Sequence, residues 1–145
     1  MAQRIQTSQI LDLQQVEAVV AGPDGANRLY SVSGRINVSV AVGSTNTGSV
    51  TYKDTLLVLL GPVLDRRQFI KASGTAAISS VQTHTQTVPA TFTWTLSLVD
   101  SDWDDETGQV ELKMELFVHA AGTNNSIQIT GATFQVTILA ELTNA

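Results

Sequence analysis

No cysteine occurs among the 145 residues. That absence excludes a disulfide framework, a thiolate metal site and a cysteine nucleophile. Charge is also scarce, with Asp, Glu, Lys and Arg making up only 14% of the chain; an average soluble domain carries roughly a quarter. Thirteen acidic residues outnumber eight basic ones, and the net charge is −5. The basic residues are scattered, and only Arg66 and Arg67 are adjacent. A nucleic-acid binder concentrates positive charge in a patch, so direct contact with DNA or RNA is not expected. The same scatter argues against an anionic membrane surface.

Long apolar runs are missing too. The densest, Leu56-Leu57-Val58-Leu59-Leu60, is far too short to span a bilayer. The first residues, Met1 to Ser8, lack the apolar stretch of a secretory signal. The expectation is therefore synthesis in a cytoplasm without the usual export route. Only two histidines occur, His84 and His119, neither inside a local motif. No Gly-x-Ser-x-Gly elbow, phosphate-binding glycine loop or His-Glu-x-x-His pair is present. These absences point away from an enzyme and from a resident cofactor.

What the chain does have is alternation. Val32, Ile36, Val38, Val40 and Val42 share one phase, with Ser33, Arg35, Asn37 and Ser39 on the other. Period two is the mark of a half-buried strand. Gly43 to Gly48 reads as a turn, and a strand from Val50 ends apolar on both faces at Leu56–Leu60. A strand of that kind lies under a second layer, a loop or a neighbouring subunit. Further on, Phe92, Trp94, Leu96 and Leu98 alternate with Thr91, Thr93, Thr95 and Ser97. Val110, Leu112, Met114, Leu116 and Val118 alternate in turn with Glu111, Lys113, Glu115, Phe117 and His119. The two runs predict a hairpin across an acidic loop, Asp100 to Gly108.

The last run changes phase. Ile127 and Ile129 are odd, whereas Phe134, Val136, Ile138, Ala140 and Leu142 are even. One inserted residue near Gly131-Ala132 accounts for the slip, as at a β-bulge. A turn is expected at Ala121 to Asn125, and Asp65 to Lys71 fits either one helical turn or an edge strand. Residues 14–21 read as a strand, which leaves 1–13 as an N-terminal arm and 14–145 as one domain. About eight strands without a fixed repeat imply an all-β antiparallel sandwich, jelly-roll-like or immunoglobulin-like, with a small barrel as the alternative.

Three features bear on function. In the acidic loop, Asp100, Asp102, Asp104 and Glu111 match positions one, three, five and twelve of a calcium-binding loop. The glycine required at position six is replaced by Asp105, and the flanks read as strands, so a solvated hairpin tip competes with a calcium site. Trp103 in that tip either anchors a contact or folds back over the strand ends. The arm, with Ile5, Ile10 and Leu11, can add a strand to a neighbour's sheet edge. Threonine arrays (Thr83, Thr85 and Thr87; Thr91, Thr93 and Thr95) are foremost good strand formers facing solvent. Low charge and neutral polar faces suit surfaces buried between copies. The expectation is a non-enzymatic structural protein that pairs with itself or with other proteins of a virion or phage-tail-like particle. The alternative is a carbohydrate- or calcium-binding sandwich using the acidic loop.

Overall fold

The computed structural model describes every residue except 1, 6–8, 24, 38–39, 44–48, 87, 89 and 143–145. Strands account for nearly all regular structure: β1 (Ala2–Ile5), β2 (Ile10–Gly22), β3 (Gly25–Ile36), β4 (Val40–Gly43), β5 (Ser49–Leu60), β6 (Phe69–His84), β7 (Thr91–Trp103), β8 (Val110–Ala121) and β9 (Ser126–Glu141). Among the described residues no helix is long and apolar enough to cross a membrane.

The strands form two sheets. The first has the order β1-β5-β8-β7, antiparallel except that β1 runs parallel to β5. The second has the order β2-β3-β9, with β4 continuing on the β3 side of β9 and β6 on its other side. β8 and β9 are thus the central strands, and their alternation supplies most of the core. Val110, Leu112, Met114, Leu116 and Val118 face Ile127, Ile129, Phe134, Val136 and Ile138 from opposite sheets, and all are buried. Tyr30, Val32, Leu56, Val58 and Leu60 extend the same core sideways. The chain is an all-β sandwich.

At one side β6 and β7 close against each other. Ser101 Oγ donates to the carbonyl of Ala72 at 3.2 Å. The inward residues of β6 are small there, and Gly74 is required. A Cβ on it would lie 2.9 Å from the carbonyl oxygen of Gln135 and 3.1 Å from Leu112 Cδ1. Close approach of the two sheets depends on that missing atom.

The phase slip in the last strand is present and crosses the whole sheet. β3 pairs with β9 as far as Ile36↔Ala132, and β4 resumes at Val40↔Ile129. On the other side β6 shifts register between Ile78 and Ser80 and again between Ser80 and Val81, with Ser80 opposite Gly131. The extra residue lets both halves of β9 turn their apolar side chains inward. A Cβ on Gly131 would sit 2.6 Å from Ser79 Oγ, so the hydroxyl would have to turn away.

Three boundaries differ from the sequence expectation. Within the expected arm of residues 1–13, Ala2–Ile5 adds to β5 of the same chain, and β2 already begins at Ile10. Asp12 has a positive φ of 53° and sits at an irregularity between Leu11 and Gln14, which hides the strand's start from a period-two reading. The acidic loop is shorter than 100–108, because β7 runs on to Trp103 past a register shift between Leu98 and Asp100. Asp65 to Gln68 is a turn, and Phe69 opens β6. The expected turn after Gly43 lies outside the described residues. The long apolar β9 is central, and its hydrophobicity is used within the chain. In β5, Leu56, Val58 and Leu60 enter the core while Leu57 and Leu59 face outward, half-buried.

Candidate functional site

The four carboxylates proposed for calcium do not converge. Asp100 and Asp102 lie in extended β7, opposite Lys113 and Glu111 of β8 respectively. Alternate residues of a strand stand about 6.7 Å apart, whereas an EF-hand folds its ligands around one point on a tight loop. Asp104 begins the turn and uses its carboxylate there: Oδ2 accepts from Thr107 Oγ1 at 2.6 Å and from Thr107 N at 3.1 Å. Asp102 Oδ1 accepts from the backbone N–H of Trp103 at 2.8 Å. Among the described residues no three of His, Cys, Asp and Glu form a group that could hold a metal ion.

Trp103 folds back. Its Nε1–H donates to the carbonyl of Leu64 at 3.0 Å and to that of Gly108 at 3.1 Å. The Arg66 guanidinium stacks 5.6 Å from the ring centre, within range of a cation–π contact. Leu64 N–H also donates to Gly108 O at 2.8 Å, and Gln109 Nε2 donates to Gly61 O at 2.8 Å. The indole is therefore a clamp between the 61–68 connection and the 104–109 turn, at the end of the sandwich. Gly108 takes a φ of +76°, and a Cβ on it would meet Val63 Cγ1 at 2.9 Å.

Among the described residues neither histidine is paired with an acid. His119 Nδ1 lies 2.8 Å from Thr51 Oγ1 on the outer face of the first sheet, and His84 is exposed near the end of β6. Beside His119 on that face, Lys53 stands over the Phe117 ring at 5.7 Å. Thr91, Thr93 and Thr95 are exposed there as well, opposite Ala121, His119 and Phe117. Of the second array, Thr83 and Thr85 are exposed and Thr87 lies outside the described residues. Lys53 and Phe117 also line a half-open pocket with Asp54, Thr55, Glu115 and Leu116.

The residues expected to reach a neighbour are employed at home. Ile5 is buried in the core in register with Val58, and Ile10 packs against the core with Cγ2 at the face of Gly34. Leu11 is half-buried opposite Arg35.

The outer face of the second sheet is neutral along its middle. Ser31, Thr137 and Ser73 form one row across β3, β9 and β6, and Ser33, Gln135 and Thr75 form the next. Gln135 Nε2 donates to Ser31 Oγ at 3.2 Å and to Thr137 Oγ1 at 3.0 Å. Charges on this face stand toward its ends, at Arg35, Lys71 and Glu141, with Arg35 3.4 Å from Asp12. On β2, Glu17 meets Arg28 at 3.2 Å. The Arg28 guanidinium is held above its ordinary pKa, first by its hydrogen bond with Tyr30 and then by Glu17.

No protein-family model matches the chain, and comparison with curated proteins and with solved structures finds no match. Class is thus defined by the fold alone: an all-β sandwich whose conspicuous surfaces are sheet faces and edges.

Proposed function

We propose that this protein is a non-enzymatic structural subunit, a β-sandwich that works by associating with copies of itself or with other proteins of a larger particle. A virion or phage-tail-like particle is the setting that suits a small, cysteine-free, weakly charged sandwich. The observation that carries the reading is the neutral Ser/Thr/Gln face of the second sheet, centred on Ser31, Ser33, Gln135 and Thr137. Burying hydroxyls and amides against a neighbour costs much less than burying Lys or Glu, provided hydrogen bonds re-form. Exposed apolar side chains add to it. Among the described residues of the strands, Leu13, Val16, Val19, Ile70, Trp94 and Val99 are the exposed large hydrophobics, and all lie on β2, β6 or β7. These are edge strands of the two sheets.

Light scattering of the purified 145-residue chain across a concentration series tests this. A defined oligomer, ring or filament is expected. A single-chain mass at every concentration into the high micromolar range overturns the reading.

A further inference from the structure

We propose that the open edge of β2 is the interface, and that it pairs antiparallel with β2 of a second copy across a two-fold axis. The inference rests on the self-association reading and names the surface through which it acts.

An edge strand presents every second N–H and C=O to solvent, a template for another strand. Sheets therefore need some device to blunt their edges, and among the described residues β1, β4, β6 and β7 each have one. β1 and β4 are only four residues long. β6 carries register shifts at its start and again between Ile78 and Val81, and closes against β7. β7 carries a register shift and the acids Asp100 and Asp102. β2 has a register shift too, between Leu11 and Gln14, but residues 14–21 lie beyond it and their one charge, Glu17, is paired with Arg28. Those eight residues pair with Ser33 to Ala26 without interruption, and they contain no Lys, Arg or Pro and one Glu. Among the described residues no strand pairs with their other side.

Both faces of this segment are open as well. Val16 on the outer face is 64% exposed and Val19 on the inner face 63%. β-Branched side chains exposed on both faces of a regular edge match a segment that gains a second strand.

The occupant is a second copy because the segment is self-complementary. A two-fold axis normal to the sheet keeps outer face on outer face, so it must pass through a residue pair. Centred on Glu17 it would set two carboxylates directly opposite, which is destabilising. Centred on Ala18 it sets Val16 opposite Val20 of the second copy and Glu17 opposite Val19. The outer residues Val16, Ala18 and Val20 of both copies then form one apolar cluster beside Leu29, which lies opposite Ala18 in β3. Glu17 stays neutralised by Arg28 of its own chain. The two second sheets join into one continuous sheet, and neither copy has to unfold anything.

The lack of native cysteine makes the test direct. Directly opposite residues in an antiparallel pair have Cβ atoms about 4.5–5.5 Å apart, close to the separation a disulfide bridges. Ala18→Cys should therefore give a covalent dimer as the main product of mild oxidation, while Val63→Cys, at a 73% exposed position in the 61–68 connection, should not. The double variant Val16→Lys/Val19→Lys should lower the scattering mass at least twofold, with an unchanged circular dichroism spectrum; Val63→Lys should leave the mass unaltered. A wild-type oligomer whose mass survives the double lysine variant, or an Ala18→Cys chain that cross-links no better than Val63→Cys, overturns the β2 interface and leaves self-association standing. A wild-type chain of single-chain mass overturns both.

Discussion

The indole nitrogen of Trp103 lies 3.0 Å from the carbonyl oxygen of Leu64 and donates to it. The pair ties the end of β7 to the connection that follows β5, two segments far apart in sequence. From sequence the ring reads either as a contact anchor or as folding back over the strand ends, and here it folds back onto its own chain.

Trp103→Phe keeps the ring under Arg66 and removes the N–H. It should lower stability by about 1 kcal/mol, the net worth of one hydrogen bond whose acceptors partly regain solvent. Urea unfolding followed by circular dichroism measures it, and the oligomer mass should not change. An unaltered midpoint would show that the indole bond contributes nothing to holding this end together.

Asn125 is fully buried in the turn between β8 and β9. Its Oδ1 accepts from Gln86 N–H at 2.7 Å, and its Nδ2 donates to the carbonyl of Ala121 at 2.9 Å. Neighbouring Asn124 takes a positive φ of 60°, and Gly122 one of 97°, as a tight reversal requires. Asn125→Ala leaves the partly buried Gln86 N–H and Ala121 carbonyl without this partner, so a loss of about 1–2 kcal/mol is expected. Asn125→Asp should also destabilise, because its carboxylate can receive from Gln86 but repels the Ala121 carbonyl. Thermal melts of the three proteins rank them; equal melting temperatures would contradict the role.

How much of this was legible depends on the range of the interaction. Alternation is local, so the pairing of Phe92, Leu96 and Leu98 with Ala120, Leu116 and Met114 follows from reading two phases and folding them on one core. The slip at Gly131 was legible for the same reason, since one inserted residue flips every later side chain. Strand order was not legible. Nothing near Gln14 to Ala21 says that the segment ends a sheet, because that depends on which distant strands take the places beside β9. The acidic segment misled through composition: Asp100 and Asp102 resemble loop residues, yet they stand in a ladder opposite Lys113 and Glu111. Ile5 looked like an arm residue because four residues are too few to show a period, and only the parallel register with β5 puts it in the core.

A final prediction concerns alkaline pH. The Tyr52 hydroxyl donates to Asp54 Oδ2 at 2.9 Å, and Asp54 is a buried charged residue whose Oδ1 accepts from Thr55 N–H at 2.8 Å. Burial of the phenol, and then its hydrogen bond to Asp54, raise the Tyr52 pKa above the ordinary value of 10.0. Both act by favouring the neutral phenol, since a phenolate would be poorly hydrated and would face a carboxylate. The sign of the linkage follows: with the folded pKa above the unfolded one, the contribution is fully present below about pH 10 and is lost as pH rises through the raised folded value. Wild type should therefore melt above Tyr52→Phe by a constant margin from pH 7 to 9, and that margin should shrink above pH 10. Differential scanning calorimetry in matched buffers reads the margin directly. A margin that stays constant to pH 11 would mean that the phenol ionises equally in the folded and unfolded chain, and that the Tyr52–Asp54 bond does not hold the proton.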